Sequence, residues 1–132
     1  MPAGRFASYV CGTNGAAFVP SANLPVRFYI TGGTSPVGAI VRCTGGQENQ
    51  AIGIAQRGVL TTGLSVAVAD YDGHPFVGLV NTTVAQGDKL RLLNSTKYRV
   101  VATAGARCIA RVAKARTNAG LTWLEYVPNG VV

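Results

Sequence analysis

Apolar and polar residues in this chain trade places every second position, in short bursts set apart by Gly, Pro, Asn and Asp. Leu64-Ser65-Val66-Ala67-Val68 has the period-two spacing of a half-buried strand. Lys89-Leu90-Arg91-Leu92 repeats it, with the leucines on one face and the cations on the other. Val26-Arg27-Phe28-Tyr29-Ile30 is β-branched and aromatic, and Thr31-Gly32-Gly33 ends it. Further strands are predicted over residues 37–44, 51–55, 76–80, 98–102 and 121–127. Asp72-Gly73 offers the positive-φ chemistry of a tight turn ahead of Phe76.

Residues 106–115 point two ways. They are rich in Ala and Arg, and Cys108, Ile109, Val112 and Ala115 make a helical stripe. An internal repeat opposes the helix. Residues 51–64 align without gaps on residues 108–121, with Ile52 on Ile109, Gly63 on Gly120 and Leu64 on Leu121, and residues 38–42 loosely match 87–91. Gly53 and Gly58 in the first copy each oppose a helix by about 1 kcal/mol. Both copies are therefore expected to run strand, turn, strand, giving two related β-units over about residues 37–68 and 86–127. The fold class is all-β: a small β-barrel or sandwich domain over residues 24–132, preceded by an extended N-terminal arm over 1–23. The arm carries Phe6, Tyr9, Val10 and Phe18 among glycines and prolines without a sustained period.

A chain of 132 residues makes one domain with a real core, and 48% apolar against 13% charged residues argues against disorder. No apolar run approaches the roughly 20 residues that cross a bilayer as a helix, and the N-terminus lacks the apolar stretch of a secretion signal. A soluble chain that is not exported and has no membrane partner is expected. Cys11, Cys43 and Cys108 have no CxxC spacing and read as small buried hydrophobes. His74 is the lone histidine, so no metal site or cofactor is expected.

Catalysis needs a tuned acid, base or nucleophile beside partners. The five acids, Glu48, Asp70, Asp72, Asp88 and Glu125, are scattered, and a triad forms only by forcing His74 into one. Asp70-Tyr71-Asp72-Gly73 lacks the closing Glu of a calcium loop. The Gly-rich stretches lack the Gly-Lys-Ser/Thr of a phosphate loop. The reading is a non-enzyme.

The net charge of +7 fits a polyanionic partner. Lys89, Arg91, Lys97, Arg99, Arg107, Arg111, Lys114 and Arg116 follow one another with no intervening acid. Tyr98 is the one aromatic among them, a thin platform for base stacking. A solvated or protein-binding face is favoured over nucleic acid.

The order of elements from residue 31 onward resembles the phage capsid decoration, or cement, proteins. Pro36-Val37-Gly38-Ala39-Ile40-Val41, Ile52-Gly53-Ile54-Ala55 and Gly63-Leu64-Ser65-Val66-Ala67-Val68 carry the first part of the likeness. Val84-Ala85-Gln86-Gly87-Asp88-Lys89-Leu90, Arg99-Val100-Val101-Ala102-Thr103 and Gly120-Leu121-Thr122-Trp123-Leu124 carry the second. Ile109-Ala110-Arg111 departs from the second Ile-Gly unit of that pattern. The resemblance implies a β-barrel or β-tulip-like virion protein, made in the host cytoplasm and placed on the outer capsid surface, trimeric at three-fold and quasi-three-fold positions, that bridges major capsid proteins and stabilises the head. Candidate protein-binding residues are Arg5, Phe6, Tyr9, Val10 and Phe18 in the arm, and Arg107, Arg111 and Arg116 in the basic segment. The alternatives are a nucleic-acid-binding small β-barrel and a tail or spike module.

Overall fold

The computed structural model of the chain describes residues 6–10, 21–28, 39–58 and 65–132. The described residues are all-β, with ten strands and one short 3₁₀ turn at Glu48–Gln50. Strands β1 (Phe6–Val10), β2 (Pro25–Phe28), β3 (Ile40–Arg42), β4 (Ala51–Ala55) and β5 (Ser65–Ala69) form a sheet in the order β1-β5-β4-β2-β3. Strands β6 (Pro75–Val80), β7 (Lys89–Leu92), β8 (Tyr98–Val100), β9 (Arg107–Val112) and β10 (Gly120–Val131) close into a barrel, β10-β6-β8-β7-β9.

The two halves share one wiring. Starting from β6, the barrel reads β6-β10-β9-β7-β8, which is the order of the first sheet with every strand number raised by five. The sequence repeat that lays residue 51 on 108 places β4 on β9, in agreement with this topology; its continuation over 59–64 lies outside the described residues. The looser match of residues 38–42 to 87–91 does not follow the wiring, which pairs β2 with β7 and β3 with β8. Val26-Arg27-Phe28 and Leu90-Arg91-Leu92 share the same alternation, so the structural equivalence does have a trace in the sequence.

Residues 107–112 are strand, not helix. β9 lies between β7 and β10 and hydrogen-bonds to both, and those two ladders outweigh an Ala- and Arg-rich helical propensity of tenths of a kcal/mol per residue. Within the segment read as an arm over 1–23, β1 (Phe6–Val10) pairs antiparallel with β5 along five positions. Backbone pairing with an available sheet edge does not require side-chain periodicity, so the segment's irregular pattern did not announce it.

The main core lies inside the barrel, with Phe76, Val80, Leu90, Leu92, Tyr98, Ala110, Val112, Leu124 and Tyr126 all buried. Ile54 of β4, with Leu24 just before β2 and Cys43 just after β3, belongs to the same cluster, so the first sheet packs on the barrel. Two polar contacts reinforce the junction. The Tyr98 hydroxyl donates to the Asn23 carbonyl at 3.2 Å, and the Leu92 N–H donates to Glu48 Oε1 at 3.0 Å. Glu48, unremarkable in the sequence, thus accepts from a strand 44 residues away. Gly73, at φ +83, supplies the turn expected before β6, and its N–H donates to the Tyr126 carbonyl at 2.9 Å. Pro128 and Asn129 occupy the register shift of β10 between Tyr126 and Gly130, where a missing N–H disturbs no ladder.

Candidate interaction surface

Alternation along each barrel strand sends one set of side chains inward and the other outward, and the outward set has two characters. β6 and β10 run antiparallel with Leu121 opposite Leu79 and Trp123 opposite Val77. These four point away from the core residues Phe76, Val80 and Leu124. Leu121 is 61% exposed and Trp123 49%. A depression of about 260 Å³ between Val77, Leu121 and Trp123 is bordered by Lys114 and Arg116. A second, of about 220 Å³, lies between Leu79, Leu121 and the 22–24 segment. Both are below the roughly 300–1,000 Å³ of small-molecule pockets. Contiguous exposed apolar side chains with an indole among them are the composition of protein-binding surfaces.

The opposite side of the barrel is cationic. Lys89 and Arg91 of β7 and Arg99 of β8 lie on its outer face, with Arg91 directly opposite Arg99 and Lys89 opposite Arg111. Arg111 is neutralised: its Nε donates to Glu125 Oε1 at 2.9 Å across β9–β10, and its Nη1 is 3.8 Å from Asp72. Arg116 folds back on its own loop, donating to the carbonyls of Leu121 at 3.3 Å and Ala119 at 3.4 Å. Arg107 opens β9 and is exposed. Of the other candidates, Phe6, Tyr9 and Val10 lie on β1, at the edge of the first sheet, while Arg5 and Phe18 fall outside the described residues. Among the described basic candidates, Arg116 stands at the rim of one depression, and Arg107 and Arg111 line neither. Leu79, Leu121, Trp123 and the Arg91–Arg99 pair were missed in the sequence. The Leu-Thr-Trp-Leu alternation of β10 was a usable signal for Leu121 and Trp123; the register that brings the arginines together was not legible.

His74 is 7% exposed. Its Nδ1 is 3.0 Å from the Tyr71 hydroxyl and its Nε2 is 3.2 Å from Gln56 Nε2. Gln56 Nε2 also donates to the Ile54 carbonyl at 2.9 Å, which fixes the amide as donor and makes His74 Nε2 the acceptor. The imidazole stacks on Phe76 at 6.2 Å between centroids. Burial pushes its pKa down, so the ring is neutral and ties the turn after β4 to the start of the barrel. Burial also raises the Cys43 thiol to about 12, and the Cys108 thiol goes up for the same reason, so both stay protonated. No group of three His, Cys, Asp or Glu side chains able to hold a metal gathers among the described residues.

No family model and no curated protein matches the chain. Among solved structures, the fold is similar to the N base of the head fiber gp8.5 of bacteriophage phi29. That likeness has a TM-score of 0.61 at 12% identity and covers 97% of this chain and 99% of that one. At this identity it shows a shared fold, and it does so over both halves of the chain.

Proposed function

We propose that this chain is a non-enzymatic structural protein of a phage particle. In this reading it binds the outer surface of the capsid as a homotrimer, bridges neighbouring major capsid proteins and so stabilises the head. The observation that carries the binding role is the outward Val77–Leu79–Leu121–Trp123 face, an apolar patch that a purely solvated barrel has no reason to present. The phage setting is supported by the fold shared with a head-fiber base and by the order of strand motifs that resembles the decoration proteins. Repetition around a symmetry axis would turn modest single contacts into high avidity, which is what a surface without deep pockets needs. Phe6, Tyr9, Val10 and Phe18 are proposed as further apolar anchors, and Arg5, Arg107, Arg111 and Arg116 as polar contacts to acidic capsid surface.

Cryo-electron microscopy of purified particles tests this reading. Density for the chain at three-fold and quasi-three-fold positions of the outer shell is expected. Density on a tail or spike, or none on the particle, would remove the capsid assignment. In co-sedimentation with heads, Leu121→Ser/Trp123→Ser should release the protein while its unfolding midpoint stays close to that of the parent.

A further inference from the structure

The sequence offered eight cations between Lys89 and Arg116 as one undivided cluster, and the fold sorts them. Arg111 is matched by Glu125 and Asp72, and Arg116 is spent on its own loop carbonyls. Arg91 and Arg99 are register partners across antiparallel β7 and β8. Direct opposition brings Cβ atoms to about 4.5–5.5 Å, and like charges so placed destabilise a sheet.

No carboxylate among the described residues pairs with either arginine. Glu48 is turned to the Leu92 N–H, Asp88 Oδ2 accepts the Ala85 N–H at 2.9 Å, and Asp72 and Glu125 serve Arg111. Neither Arg91 nor Arg99 forms an ion pair or a side-chain hydrogen bond among the described residues. Arg91 Nε is buried there without an acceptor. Both residues are only partly exposed, so their mutual repulsion is less screened than at an open surface.

We propose that the Arg91–Arg99 pair, with Lys89 beside it, is a docking site for a carboxylate-bearing surface of a partner protein. It rests on the reading that the chain acts by binding other proteins, and it names the face and the chemistry. Guanidinium groups carry planar, paired N–H donors that suit carboxylates, and two arginines at one register position suit an acidic surface. A nucleic acid fits less well. The outward positions of β7 and β8 hold no aromatic on which a base could stack, because Tyr98 points into the barrel at 0% exposure.

Labelled poly-L-glutamate is the probe, read by fluorescence anisotropy near physiological salt, with a DNA duplex in parallel. Arg91→Gln/Arg99→Gln should weaken polyglutamate binding by about tenfold or more. Arg27→Gln/Arg57→Gln, which removes the same charge from the first half of the chain, should cost far less. The first variant should also melt at or above the temperature of the parent, because it relieves repulsion. Equal losses in the two variants, no polyglutamate binding by the parent, or a lower melting temperature for Arg91→Gln/Arg99→Gln would each overturn the proposal. So would tighter binding to DNA than to polyglutamate through the same two arginines. If polyglutamate binding behaves as expected while phage heads are not bound, the particle assignment falls and this site stands.

Discussion

Gly78 makes room for the ring of Tyr98. A Cβ at position 78 would lie 3.0 Å from Tyr98 Cε2 and 2.5 Å from Leu124 Cδ1, in the closed interior of the barrel. Hydrogen at this inward position of β6 leaves space for Tyr98, the largest fully buried side chain among the described residues.

Gly78→Ala should therefore destabilise the protein by about 1–3 kcal/mol, the usual range for overpacking a closed core. Urea unfolding followed by Trp123 fluorescence measures it. A neutral or stabilising outcome would mean that the Tyr98 ring has space to move that the structure does not show.

Glu48→Ala should cost about 1–3 kcal/mol, because the half-buried Leu92 N–H loses an ionised acceptor and gains none. Glu48→Gln keeps an oxygen in place and should recover part of that loss. If the two variants unfold alike and close to the parent, the contact contributes nothing to joining the first sheet to the barrel.

His74 sets a dependence on pH. Its folded pKa lies below the ordinary 6.5, so the unfolded chain takes up the proton more readily. The stability this contributes is whole above pH 6.5 and drains away as pH falls through the lower, folded value. Thermal midpoints between pH 7.5 and 5.5, above the range where carboxylates titrate, should fall for the parent and fall less for His74→Gln. Parallel curves for the two proteins would place the sensitivity elsewhere.

The strands were largely readable, because a sheet with one wet face writes its pattern into the chain. β4 and β7 fall on the residues that alternation marked, and β6, β8 and β10 begin within one residue of expectation. What alternation does not encode is who sits beside whom. Lys89 and Arg91 could be assigned to an outer face from the sequence, but the opposition of Arg91 to Arg99 depends on the β7–β8 register. Arg111 appeared as available as its neighbours until β10 brought Glu125 alongside it. Glu48 and β1 were hidden for the same reason, since one depends on a partner 44 residues away and the other on a sheet edge built from residues beyond position 60. In each case the missing information is long-range pairing, which a local period cannot hold.

The barrel is shut by a narrow clasp. β6 and β8 run parallel and meet at the single register pair Val80 and Tyr98, helped by the Asn81 N–H to the Tyr98 carbonyl at 3.0 Å, whereas the other barrel neighbours match at two or more positions. In the first half the corresponding strands, β1 and β3, are the two ends of the row. One residue's worth of lateral pairing thus separates a ribbon from a ring built on the same plan, and when the ring breathes, that is the link whose opening disturbs the least.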